Sequence, residues 1–241
     1  MKIYKDLSQN FSPKKRVKKS IKFIIIHYTG MQSEIESINR LKDTNAKVSC
    51  HYLINRKGLV TQMILENRVA WHAGKSKWKN FKNLNENSIG IELVNKGHEF
   101  GYQNFSNNQI SNLIKLCKKL KKKYLIKSEN FLGHSDIAPL RKLDPGEKFP
   151  WKRLNKYKLG CWHKNSKKKL NVINKKKIKK LFFMNLYKIG YRYFKINKRS
   201  KKDKLIIMSF QKHFIPRNVT GQIDLKTFKI SHFLANKFKL A

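Results

Sequence analysis

The sequence predicts an α/β domain over residues 1–160 and a small C-terminal three-helix unit over 173–241, joined by a polar linker at 161–172. Three observations lead there. Through the first part of the chain, apolar runs of strand length alternate with helical stripes, the pattern of a sheet covered by helices. From Cys161 to Lys169 the chain turns polar and Lys-rich. Beyond that stretch, a tail rich in Phe and Leu carries helical periodicity only. No apolar run reaches the ~18 residues that a transmembrane helix needs.

The elements follow in order. Residues 1–20 are polar and basic, with no apolar core and no small-residue cleavage site of the kind an export signal carries, so the protein is expected to start in the cytoplasm. Lys22 to Tyr28 contains Phe23-Ile24-Ile25-Ile26, a continuous apolar run that fits a buried strand. Ser33 and Glu36 have the spacing of a capping box, which predicts a helix from Ser33 to about Asp43. Two short strands, Cys50 to Asn55 and Leu59 to Ile64, flank the turn pair Lys57-Gly58. Ser88 to Asn95 is a further buried strand with Glu92 in its middle, an unusual place for a carboxylate unless it is paired or functional. From Asn107 to Tyr124, Ile110, Leu113, Ile114, Cys117, Leu120 and Tyr124 share one stripe, and Ser106 with Gln109 forms a second capping box. A strand at Asn130 to Gly133 leads into His134. Ala138 to Trp151 holds Pro139, Pro145, Gly146 and Pro150 and reads as a loop. The tail shows helical patterns at about 174–190, 201–214 and 224–238, with Asp224 as an N-cap.

The formal net charge of +42 invites a nucleic-acid reading. However, the excess is 47 Lys against 9 Arg, beside 23 Asn and 24 Ile, the residues with the most A/T-rich codons. Codon bias would produce that composition without a selected partner, with a basic binding surface as the alternative; a reader of phosphates and base edges leans more on Arg. No helix-turn-helix, RNA-recognition or zinc-finger signature is present, so no specific nucleic acid is expected. Cys50, Cys117 and Cys161 are odd in number and lack CxxC spacing, which argues against a disulfide framework and against a Cys-rich zinc site.

Chemistry is suggested at three places. His27 ends an apolar strand, where α/β sheets place ligand sites. His134 follows another strand, and Asp144 sits ten residues on in the turn Leu143-Asp144-Pro145-Gly146. Two His and one carboxylate form a familiar catalytic zinc set with one position open; the alternative is histidines that reach strand ends by chance. Glu92 is placed to act as a general base, or else to turn outward toward one of the many Lys. Lys142 could stabilise a developing oxyanion, although in so Lys-rich a chain it carries little weight alone.

Six blocks in the same order then carry a resemblance over about 130 residues. They are Ile24-Ile25-Ile26-His27-Tyr28-Thr29, Ser49-Cys50-His51-Tyr52-Leu53-Ile54, Ala70-Trp71-His72-Ala73-Gly74, Asn87-Ser88-Ile89-Gly90-Ile91-Glu92-Leu93, Gly133-His134-Ser135-Asp136-Ile137-Ala138-Pro139 and Arg141-Lys142-Leu143-Asp144-Pro145-Gly146. Together they resemble the zinc-dependent N-acetylmuramoyl-L-alanine amidases of the AmiD/AmpD type, relatives of the peptidoglycan recognition proteins. The resemblance implies a central mixed β-sheet flanked by helices, with one Zn2+ in a cleft. It implies His27, His134 and Asp144 as the metal ligands, Glu92 as the base toward water, and Lys142 as the cation that steadies the oxyanion. Tyr28, Thr29, Trp71 and His72 would line the substrate groove, and His51 and His72 would be groove or core histidines. The implied substrate is peptidoglycan or its muropeptide fragments, and the chain is expected to act as a monomer. The tail, from Leu205 to Phe214 and through Thr220-Gly221-Gln222-Ile223-Asp224, resembles the peptidoglycan-binding-like module of the AmiD type, which either binds glycan or braces the catalytic domain. Enzymes of that type are usually outer-membrane lipoproteins, so the cell envelope is the alternative compartment.

Overall fold

In the computed structural model, whose described residues are 1–163 and 175–237, the basic N-terminus is not loose. It forms β1 (Ile3–Lys5) and β2 (Phe11–Lys15), neither of which the sequence pattern predicts. A polar anchor explains why they are held. The buried Asn10 amide donates to the carbonyls of Leu41, Asp43 and Val48 at 3.2, 2.8 and 2.7 Å. The apolar run becomes β3 (Phe23–Tyr28), and Ser33 caps α1 (Glu34–Lys42) by accepting from the Glu36 N–H at 3.1 Å. Next come β4 (Tyr52–Ile54), β5 (Val60–Gln62), β6 (Arg68–Ala70), the small hairpin of β7 (Lys77–Trp78) and β8 (Phe81–Lys82), and β9 (Ser88–Leu93). Helix α2 (Asn107–Tyr124) has the bounds that its stripe predicts, and the Ser106–Gln109 capping box is present at its start. Strand β10 (Phe131–Gly133) passes directly into a single turn of helix, α3 (His134–Ile137). A second short helix, α4 (Trp151–Asn155), stands at the end of the predicted loop. Three tail helices follow, α5 (Lys175–Ile189), α6 (Asp203–Phe214) and α7 (Leu225–Lys237). Residues 164–174, which contain most of the expected linker, lie outside the described residues.

The main sheet has six strands in the order β1-β5-β4-β9-β3-β10. Its β4–β5 pair is antiparallel, and the β1–β5, β4–β9, β3–β9 and β3–β10 pairs are parallel, so the sheet is mixed, as expected. Register fixes the rest by alternation. Ile24 and Ile26 of β3 join Ile89, Ile91 and Leu93 of β9 in a core covered by Leu113, Ile114 and Leu116 of α2. Phe23 and Ile25 point to the other face. There they meet Trp78, Leu132 and Ile137 together with Phe182, Leu186, Phe210, Phe228 and Leu234 of the tail helices. Helices therefore flank both faces, and the C-terminal helices share a core with the sheet rather than standing apart from it. All three cysteines are buried and free. Among the described residues, no helix is long and apolar enough to cross a membrane.

Candidate active site and metal centre

Strand register assembles the site. His27, at the end of β3, pairs with Glu92 of β9, and Gly133 of β10 pairs with Ile26, so His134 follows at the level of His27. Alternation along β3 turns His27 to the face occupied by the tail helices, and His134, the first residue of α3, meets it there. Asp144 returns to the same place through the Pro-rich loop, whose main chain is tied to α3 by Ser135 N–H donating to Asp144 O at 2.8 Å.

The three side chains converge. His27 Nδ1 lies 3.0 Å from His134 Nδ1 and 2.9 Å from Asp144 Oδ2, and His134 Nδ1 lies 3.1 Å from the same oxygen. All three residues are buried, and they form a group that could hold a metal ion. Donors about 2.0–2.1 Å from a tetrahedral zinc stand about 3.3 Å from one another, close to this spacing.

The outer nitrogens decide the proton arrangement. Ser88 Oγ donates its one hydrogen to Leu84 O at 2.5 Å, so it accepts from His72 Nε2–H at 3.1 Å. His72 Nδ1 is then a lone pair, and His27 Nε2–H donates to it at 3.1 Å. On the other side, His134 Nε2 lies 3.1 Å from the Ala73 carbonyl oxygen, to which the Arg141 guanidinium donates, and 3.2 Å from that same guanidinium. The His27 ring therefore turns a bare Nδ1 inward, and His134 does the same when its Nε2 carries the proton toward Ala73 O. Inward lone pairs and a carboxylate oxygen at this separation repel one another unless a cation lies among them, which is the arrangement a metal site requires. Burial and the His134 ring push the His27 imidazole down to about 4, so it is neutral at pH 7. Burial alone would raise the Asp144 carboxyl, but the two histidines outweigh it and hold the group well below the usual carboxylate range.

Glu92 faces the same cavity, a cleft of about 310 Å³ whose lining also includes His27, Tyr28, Thr29, His72, His134, Lys142 and Asp144. Strand β9 is central, not an edge, and Glu92 is 8% exposed with Oε2 lacking a hydrogen-bond partner among the described residues. Burial and the Asp144 carboxylate push its carboxyl up to about 8, with Lys142 pulling the other way. A buried carboxyl without a partner, facing the cleft beside the three converging side chains, is placed to exchange a proton with a molecule bound there.

The remaining expected residues divide. Tyr28 and Thr29 line the cleft, half-buried. Lys142 lines it too, and its charge acts on both Glu92 and His27. His72 borders it, but both ring nitrogens are engaged, and it packs so close to β9 that a Cβ on Gly90 would fall 2.3 Å from its Cγ. Trp71 is half-buried and is not among the lining residues. His51 belongs to the core, where its Nδ1 accepts from Gly90 N–H at 3.0 Å. Sequence reasoning passed over His98, Glu147, Lys96 and Arg141. His98 accepts from Tyr28 OH at 2.8 Å and bonds Glu147 at 3.1 Å. It sits just past the end of β9, so the strand-end argument that singled out His27 applies to it equally.

A mixed sheet carrying a buried His/His/Asp group that could hold a metal ion, with a buried glutamate facing the same cleft, is an arrangement suited to a hydrolase. The profile of the family "N-acetylmuramoyl-L-alanine amidase" matches residues 17–147. AmiD of Escherichia coli K12, an N-acetylmuramoyl-L-alanine amidase, is 34% identical over 233 residues, 90% of this chain and 83% of AmiD. The solved complex of E. coli AmiD with anhydro-N-acetylmuramic acid-L-Ala-D-gamma-Glu-L-Lys superposes with a TM-score of 0.79 and 32% identity, over 95% of this chain and 93% of the other. AmpDH3 of Pseudomonas aeruginosa bound to anhydromuramic pentapeptide gives a TM-score of 0.82 at 28% identity, over 95% of each chain. The chain belongs to the N-acetylmuramoyl-L-alanine amidases.

Proposed function

We propose that this amidase is zinc-dependent and cleaves the amide between the lactyl group of N-acetylmuramic acid and L-alanine in muropeptides, with His27, His134 and Asp144 as the metal ligands. The observation that carries this is the convergence of His27 Nδ1, His134 Nδ1 and Asp144 Oδ2 within 3.1 Å, beside the buried Glu92 Oε2, which has no partner among the described residues. When bound, zinc supplies a Lewis acid that polarises a carbonyl and lowers the pKa of a coordinated water to about 7. Glu92 takes a proton from the attacking water as the water oxygen bonds to the amide carbon. Lys142 faces the negative charge gathering on the carbonyl oxygen. Glu92 then delivers its proton to the alanine nitrogen as the C–N bond breaks, leaving a lactyl carboxylate and a free stem peptide. Tyr28 and Thr29, which line the cleft, contact the substrate, while His72 orients His27. The anhydro-muramyl peptides held by two similar enzymes support this substrate class. We assign residues 1–160 to the catalytic unit, 161–172 to a linker and 173–241 to a helical unit of the peptidoglycan-binding type.

The test is mass analysis of muropeptides after incubation with the zinc-loaded protein. Lactyl-amide cleavage should stop with a chelator and resume with zinc. Glu92→Ala should retain zinc while losing about 10²–10⁴-fold in kcat, and Asp144→Ala should lose the zinc itself. Intact substrate with the zinc-loaded wild type would refute the reading.

A further inference from the structure

Helix α3 is one turn long, His134–Ile137, and its first residue supplies a Nδ1 to the metal group. A single turn has too few internal hydrogen bonds to hold its own shape, because fixing the first turn costs more than it returns. Its geometry has to be imposed from outside, and the source is the C-terminal helical segment. The Asp136 carboxylate, 1% exposed, accepts at Oδ1 from Tyr191 OH at 2.5 Å and at Oδ2 from His213 Nδ1 at 2.7 Å. The same Oδ2 accepts from Gly133 N–H at 2.8 Å, which closes the N-terminus of α3. Ser209 Oγ donates to Ser135 O at 2.7 Å, between the ligand and the carboxylate. Three donors from beyond residue 190 thus converge on the two residues that follow His134.

The His213 ring is itself held. It stacks at 4.0 Å and 11° on Trp151 of α4, and at 4.0 Å and 15° on Phe214. The tether therefore runs from the Pro-rich loop, through α4 and α6, back to α3. The adjacent Lys212 is 6% exposed, and its charge acts on Glu147 and Asp144. Burying the Asp136 carboxylate carries a desolvation cost that an apolar residue would avoid. What the network adds is a defined position for the backbone at 133–136.

We propose that Tyr191, Ser209 and His213 are positioning residues: the C-terminal helices clamp α3 and thereby set the aim of His134, so that metal affinity and turnover both depend on them. This rests on the assignment of His134 as a zinc ligand. It gives the helical segment a role in the catalytic centre, whatever it binds elsewhere on its surface.

The experiment uses the full chain, with Tyr191→Phe and His213→Phe, alone and combined, and Ser209→Ala. Tyr191→Phe removes one hydroxyl, and His213→Phe keeps a stacking ring while removing the donor. Asn185→Ala, which breaks the 3.1 Å bond to Ser231 inside the helical segment, is the stability control. Zinc affinity is read by chelator competition, kcat and KM separately by muropeptide cleavage, and folding by circular dichroism. The combined variant is expected to hold zinc about 10–100-fold more weakly, with kcat falling more than KM changes. His213→Asn, which restores a donor near the Nδ1 position, should recover part of the affinity, and Asn185→Ala should leave it unchanged. If the combined variant fails to fold, Tyr191→Phe and Ser209→Ala give the same readout singly. Folded variants with wild-type zinc affinity and kcat would overturn the clamp. A wild type that binds no zinc would instead overturn the metal assignment.

Discussion

Glu92 carries the sharpest consequence at the scale of single residues. Its carboxyl is raised to about 8 in the fold, whereas in an unfolded chain a glutamate titrates near 4.3. Between those values the folded protein keeps a proton that the unfolded chain has released. The stabilising contribution is therefore full below about pH 4.3 and is lost as pH rises through about 8. In chelator, the wild type should lose about 2–4 kcal/mol between about pH 5 and 8.5 relative to Glu92→Gln, as read by urea unfolding at the two pH values. Parallel curves for the two proteins would contradict it. His27, His134, Asp144 and Glu92 were legible in the sequence as candidates: a His at each of two strand ends, an acid in a rigid Pro-Gly turn, and a carboxylate in an apolar strand. Ser88, Asp136 and His213 were not legible, because a hydroxyl in a strand or a His on a helix is ordinary until its partner, 16 or 77 positions away, is known.

Among the elements, α2 was the most legible and strands β1, β2 and β6 the least. The stripe on α2 repeats over five turns, and its start is written in two side chains. Ser106 Oγ accepts from Gln109 N–H at 3.1 Å, and the Gln109 side chain accepts from Ser106 N–H at 3.1 Å. Ser106→Ala should cost about 1 kcal/mol in global stability by chemical denaturation, with no change in KM. A loss within error would mean that packing alone sets the helix start. Strands β1, β2 and β6 are three to five residues long and show no apolar alternation. They exist because a partner strand and the Asn10 amide hold them, and pairing of that kind leaves no local trace. Helices α3 and α4 escaped notice for a related reason: at four and five residues they are too short to show a period.

At the scale of the whole molecule, the +42 charge acts on stability. With 56 cations against 14 acids, most lysines have no carboxylate to pair with, and the folded state crowds them together. Raising salt from about 0.1 M to about 1 M shortens the screening length from about 10 Å to about 3 Å, so Tm should rise. A Tm that falls would show that specific ion pairs outweigh the general repulsion. The Phe- and Leu-rich tail announced helices, yet nothing in it indicated which face of the sheet they would cover, because an apolar stripe fits any apolar surface of similar size. The parallel pairing of β3 with β9 and β10 bears on how the chain is made. Position 27 meets 92, and 24 meets 131, so the two central contacts close loops of 65 and 107 residues. Such closures are entropically slow. During synthesis the nascent chain carries His27 long before its partners, and the proposed ligand set is incomplete until residue 144 has been made. The proposed brace comes later still, with residue 213.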